Sequence, residues 1–184
     1  MSQEDSPARY ITVFGGSQAD SGGTLYRQAY DLGRSLAQSG FGVISGGYGG
    51  TMEAVSRGAR EAGGQAIGIT LAAFDQRGLR ANRWLSAEHK AEDYLKRLAE
   101  LTGRASGFVA LKGGVGTLSE VSITLSLLQI GEIAGKPLVL LGGCWEPYLD
   151  VLREQFLLRS GDLTHAHLAP DAPQAAAWLR ANVR

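Results

Sequence analysis

The run Lys112-Gly113-Gly114-Val115-Gly116-Thr117-Leu118-Ser119-Glu120 has the make-up of a turn that meets an anion. Glycines carry no Cβ, so the main chain can approach a ligand closely, and a helix that follows offers unpaired N–H groups with a partial positive charge. A triphosphate-binding loop needs a lysine directly before its Ser or Thr. Here Gly116 holds that place, and Lys112 lies on the strand side of the turn. A dinucleotide fingerprint needs Gly-x-Gly-x-x-Gly after the first strand and an acid closing the second. "FGGSQAD" lacks the pattern, and the second apolar run ends at Ser45. What remains is a lysine-free nest of amides suited to one phosphoryl group. Glu120 has two readings. With Thr117 it has the spacing of a capping box, in which the Glu folds back onto its own helix terminus; otherwise it is a carboxylate facing the bound anion's neighbour. Arg97 also has two. Lys90, Asp93, Arg97, Glu100 and Arg104 recur at three and four, as on an ion-paired solvated helix face or on the polar wall of a cleft.

These residues need a frame that brings glycine turns together. Strands are expected at Tyr10 to Phe14, in "FGVIS", in "QAIGIT", in "GFVAL", in "PLVLL" and in a short run at His165 to Ala169. Between them, helical periodicity covers about Thr24 to Ser39, Thr51 up to the stop at Gly63-Gly64, Lys90 to Gly103, Thr117 to Ile130, "EPYLDVLREQFLL", and Ala172 to Val183. Residues 71–87 form a polar connection with one brief strand near Trp84 to Glu88, and a loop that long in a compact unit is commonly functional. Strand and helix alternate, and the strands are continuous apolar runs. The expected fold is therefore α/β: one Rossmann-like unit over 10–184 with a doubly wound, mainly parallel sheet and helices on both faces, after a frayed tail over 1–9. "GGS", "GGYGG" and "GGVG" each follow a strand, so all three open at the carboxyl edge of the sheet, where such folds bind ligands.

The chain has 184 residues, 44% of them apolar and 20% charged, with no net charge at pH 7. That balance gives no electrostatic footprint for nucleic acid or a membrane surface. No stretch is long enough for a membrane span, and "MSQEDSPAR" is unlike a signal peptide. The single Cys144 makes no internal disulfide and suits a reducing cytoplasm. His89, His165 and His167 fall in no metal spacing, so no metal is expected, and His165 and His167 fit a short strand better than a ligand pair.

"KGGVGTLSE", preceded by an apolar strand and paired upstream with "SGGYGG", resembles the Pro-Gly-Gly-x-Gly-Thr-x-x-Glu signature of the LOG ("lonely guy") family. The likeness runs from "VFGGS" to about Leu158. The family comprises phosphoribohydrolases that cut the N-glycosidic bond of nucleoside 5′-monophosphates, AMP and cytokinin nucleotides among them, without a cofactor. The resemblance implies a Rossmann-like homodimer paired through the helix after the motif. It also implies a catalytic role for Glu120 and for Arg97, fifteen positions before Lys112. The family's older label, lysine decarboxylase, has no counterpart here, since nothing marks a pyridoxal-phosphate lysine. On this likeness the phosphate rests on Gly113, Gly114, Val115, Gly116 and Thr117, with Gly46, Gly47, Gly49 and the Ser17 hydroxyl nearby, and Glu120 faces the sugar. Two departures stand out: Lys112 replaces the signature proline, and the context of the Arg is Lys96-Arg97-Leu98. The segment around Arg97 resembles a bacterial branch that also resembles molybdenum-cofactor carriers. A non-catalytic carrier of a nucleotide or phosphorylated pterin is therefore the second reading.

Overall fold

A computed structural model describes residues 9–184. Of the tail expected over 1–9, all but Arg9 lies outside the described residues. Seven parallel strands form one sheet in the order β4-β3-β2-β1-β5-β6-β7. They are β1 (Tyr10–Phe14), β2 (Gly42–Ser45), β3 (Ala66–Leu71), β4 (Ala87–Ala91), β5 (Gly107–Ala110), β6 (Leu138–Leu141) and β7 (Ala166–Ala169). The chain winds outward one way from β1 to β4, returns beside β1 as β5, and winds the other way to β7. The order therefore reverses between β1 and β5, and the crevice for ligands is expected above that pair.

The helices are α1 (Thr24–Gln38), α2 (Thr51–Glu61), the single turn α3 (Ala72–Asp75), α4 (Tyr94–Gly103), α5 (Val115–Gln129), α6 (Trp145–Gln155) and α7 (Ala172–Asn182). Both faces of the sheet are covered, as parallel strands require. Leu32, Leu36, Val55 and Leu179 of α1, α2 and α7 pack on Val13, Val43 and Val109 from one side. Leu101, Val121, Leu128 and Leu149 of α4, α5 and α6 pack on Phe14, Ile44 and Phe108 from the other. Successive strand residues point to opposite faces, so each central strand is apolar along its whole length.

Three local expectations need correction. The strand expected near 84–88 lies at Ala87–Ala91 and runs into Lys90, where a helix was expected to start. As the sheet's edge strand it is largely exposed, so "AEHKA" carries charge where the inner strands carry Val and Ile, and charged side chains protect such an edge from further pairing. Helix α4 therefore begins only at Tyr94, capped by Asp93, whose carboxylate accepts from the Lys96 amide at 2.8 Å. His165 lies in a 3-10 turn over Asp162–His165, while His167 lies in β7 and stacks on Trp178. Among the described residues no helix is long and apolar enough to cross a membrane, and no cluster of His, Cys, Asp and Glu is placed to hold a metal ion.

Candidate active site

The end of β5 is fixed from two sides before its glycine turn. Its ladder to β1 pairs Val13 with Val109 and Phe14 with Ala110, and the Leu111 amide donates to Phe14 O at 2.9 Å. From the opposite layer, Trp145 Nε1 donates to Ala110 O at 3.0 Å. The turn then releases α5 at Val115, two residues earlier than expected, with Gly114 as N-cap and no side chain capping it. The first amide taken up within the helix is that of Leu118, which donates to Gly114 O at 3.1 Å. Among the described residues, the amides of Val115, Gly116 and Thr117 have no protein acceptor. A 15-residue helix thus points three free donors and its positive end into the crevice.

This geometry removes the capping-box reading. Thr117 lies inside the helix, not at its start, and Glu120 does not reach back to a cap amide. Its carboxylate instead faces the guanidinium of Arg97, Oε1 to Nη1 at 3.6 Å, with both side chains about nine-tenths buried. The solvated-face reading of Arg97 falls as well. Lys90 belongs to β4 and pairs with Asp75 at 2.5 Å, Asp93 is a cap, and only Glu100 and Arg104 keep the helical ion pair, at 3.2 Å. Arg97 points inward and donates from Nε to Ile69 O at 2.8 Å, which fixes the plane of its fork at the end of β3. The ion pair crosses the sheet edge from α4 to α5.

Burial dominates the electrostatics of Glu120. Loss of water pushes its carboxyl up to about 7, with the adjacent Arg97 charge pulling the other way. At 3.6 Å the pair is looser than a direct hydrogen bond, so the attraction only partly offsets the lost hydration. A group poised near neutrality in a cleft has the property expected of a reacting acid or base.

Arg97, Glu120, the turn from Gly114 to Thr117, and Ser17 all line one cleft of about 320 Å³ above β1 and β5. Gly113 lines an adjoining cleft of about 350 Å³ with Lys112, Gln18 and Leu25; the two clefts share Gly16, Ser17 and Gly114. Gly46, Gly47 and Gly49 are not part of the wall. A Cβ on Gly46 would overlap the Arg97 guanidinium and come within 2.6 Å of Met52 Sδ, so this glycine makes room for the arginine and not for a phosphate. Gly47 adopts φ +81° against Gly68 and Thr70, and its carbonyl accepts from the Asn82 amide and side chain. The upstream turn is tied to the turn after β1: the Thr51 amide and hydroxyl, at the start of α2, both donate to Gly16 O, at 3.0 and 3.1 Å. The two similar runs "SGGYGGT" and "KGGVGT" thus have different work, one bracing the crevice and one opening into it. A larger open cleft of about 530 Å³ lies at Arg153, Arg159 and Thr164, away from the carboxyl ends of the strands, and among the described residues no carboxylate lines it.

The rest of the wall was not singled out from sequence. Tyr48, Met52, Phe74, Leu79 and Tyr94 supply its apolar side. Phe74 and Leu79 come from the segment that had no clear periodicity. Tyr94 carried a signal in its spacing, one helical turn before Arg97 and hence on the same face.

Residues 8–146 match the model of the SLOG cluster4 family. Over 136 residues, 73% of this chain and 58% of the relative, it is 31% identical to a probable cytokinin riboside 5′-monophosphate phosphoribohydrolase, LOG4, of Oryza sativa subsp. japonica. It is 33% identical to the probable enzyme of the same name LOGL9 from that organism, over 90% of this chain and 74% of the relative. The chain spans 58% to 66% of the length of the first three such relatives. Among solved structures it superposes on the molybdenum cofactor binding protein of Rippkaea orientalis with TM-score 0.76 and 23% identity, covering 96% of this chain and 98% of that one. It superposes on the structural-genomics target TM1055 with TM-score 0.74 and 29% identity, covering 94% and 99%.

Proposed function

The chain belongs to the SLOG cluster4 family of LOG-like proteins, and from that membership and the geometry of the cleft we propose that it is a cytoplasmic hydrolase of nucleoside 5′-monophosphates, AMP or cytokinin-type nucleotides, releasing free base and ribose 5-phosphate. One observation carries the reading: a buried Arg97–Glu120 pair shares a 320 Å³ cleft with three free helix-terminal amides. The amides of Val115, Gly116 and Thr117 take the phosphate, the non-reacting end of the substrate, and so fix where the sugar lies. Cleavage of the glycosidic bond passes through a sugar cation. Glu120 in its ionised form stabilises that charge and orients the attacking water, and Arg97 holds the carboxylate in place. Among the described residues no second carboxyl lines the cleft, so the leaving base takes its proton from water or leaves already protonated on its ring.

A homodimer is part of the proposal. At the two ends of α5, Val115 and Leu118 are 80% and 40% exposed and the C-cap residue Ile130 is 68% exposed, apolar surface that a second copy would cover. Size-exclusion with light scattering at micromolar concentration is expected to give twice the chain mass; a monomer removes this part. The function is tested by incubating the protein with AMP and cytokinin nucleotides and assaying free base and ribose 5-phosphate. Nucleotide binding without either product would return the carrier reading.

A further inference from the structure

The side of the cleft opposite the phosphate turn is built from rings and aliphatic groups. Phe74 and Leu79 reach it from the segment after β3, Tyr94 from the first turn of α4, and Tyr48 from the turn after β2. The segment is held in place and not loosely draped. Asn82 ties it to the β2 turn by donating from its side chain to Gly47 O and Tyr48 O, both at 3.1 Å. Asp75 pairs with Lys90 of the edge strand, and Arg77 lies over the ring of Phe74. Tyr48 and Phe74 pack at 5.5 Å between ring centres. Leu79 and Tyr94 are left 37% and 38% exposed at the rim, apolar surface that a ligand in the cleft would cover.

The polar side-chain atoms on this side are nearly spent. The Tyr48 hydroxyl accepts from the Leu71 amide at 2.8 Å and donates to Leu71 O at 3.3 Å, so it closes the end of β3 and has no proton left to donate to a ligand. Met52, Phe74 and Leu79 offer no hydrogen-bonding hydrogen. Among the described residues, the one side-chain N or O atom there without a partner is the Tyr94 hydroxyl, on a half-exposed ring at the rim. Arg97, Glu120, Ser17 and Thr117 sit with the phosphate turn and the sugar.

We propose that Tyr48, Phe74, Leu79 and Tyr94 form the base subsite, and that it grips the flat face of a nucleobase without reading its edge, so the protein accepts purine nucleoside monophosphates irrespective of their 6-substituent. This rests on the nucleotide reading of the site. A pocket that hydrogen-bonds a substrate edge rejects the wrong edge by four to five orders of magnitude, because its own polar groups are left unpaired; an apolar pocket rejects only by size, within roughly one to two orders. Ring faces stack on any base, whatever its edge pattern.

The test has a binding arm and a turnover arm. Calorimetry with AMP, GMP, IMP and an N6-alkyl AMP should give dissociation constants within about tenfold of one another, and the same spread should hold for kcat/KM. Phe74→Ala should weaken binding of all four by about tenfold or more, in equal measure. Tyr94→Phe, which keeps the ring and removes the hydroxyl, should leave the order of the four unchanged. A preference above about a hundredfold for AMP over GMP, or one that Tyr94→Phe abolishes, overturns the subsite as drawn. If all four bind alike and none is cleaved, the base subsite stands and the hydrolase reading falls.

Discussion

Replacing Glu120 by Gln should abolish a pH-dependent part of the folding free energy, and its size follows from the structure. In an unfolded chain this carboxyl ionises near 4.5, whereas in the fold burial holds it protonated up to about 7. The folded state therefore binds a proton that the unfolded state has already lost across that interval. The stabilisation from that proton is complete below pH 4.5 and is lost as pH rises through about 7. Each unit of difference is worth about 1.4 kcal/mol, and the part of the swing that falls between pH 4.5 and pH 8 is about 3 kcal/mol. Arg97 is already included in this figure, because its attraction acts within the folded-state value. Gln has nearly the shape of the protonated acid and does not titrate. The measurement is urea unfolding of both proteins at pH 4.5 and at pH 8, with the difference between them taken at each pH so that all other titrating groups cancel. That difference should shift by about 3 kcal/mol in favour of Gln at the higher pH. A difference constant within about 0.5 kcal/mol would mean that water reaches Glu120, and the argument for a poised carboxylate would be lost.

Three outcomes in catalysis follow from the same cleft. kcat/KM for AMP should rise with pH along a single limb and level off above about 7, since the ionised Glu120 is the active form; a profile falling over that range contradicts the assigned role. Arg97→Gln keeps a donor for Ile69 O but removes the charge that favours the carboxylate, so the midpoint of that limb should move to higher pH as activity drops, and an unmoved midpoint would detach Arg97 from Glu120. Gly46→Ala places a methyl group where the Arg97 guanidinium lies; because the crowded atoms are the ends of flexible side chains, the fold should survive while kcat/KM falls by about a hundredfold, which thermal melting and steady-state kinetics would separate.

Much of the frame was legible because parallel strands buried on both faces leave unbroken apolar runs, as in "YITVF", "FVAL" and "LVLL". β4 was misplaced for the complementary reason. An edge strand has no second neighbour and needs no such run, so "AEHKA" looks like the start of a helix. That misplacement also hid the orientation of Arg97. With Lys90 counted into the helix, the charges lined up as a solvated stripe; with α4 starting at Tyr94, the arginine turns inward to Ile69 O and Glu120. Local spacing could not decide between them, because the deciding contacts are 28 and 23 positions away in the chain.

The glycine runs carry the same lesson one level down. By composition "SGGYGGT" and "KGGVGT" are near copies, and both stand between a strand and a helix. Their difference lies in where the first helical amide goes. At α2 that of Thr51 is taken by Gly16 O, and at α5 those of Val115, Gly116 and Thr117 are left free. The three free amides of α5 lie at the one place in the sheet where the strand order reverses, between β1 and β5, and the start of α2, its first amide tied to Gly16 O, lies one strand away. Topology therefore selects which of two equivalent sequences becomes an anion site. The upstream copy keeps its glycines for a different end, since Gly46 must stay small for the Arg97 side chain to reach the α5 carboxylate at all.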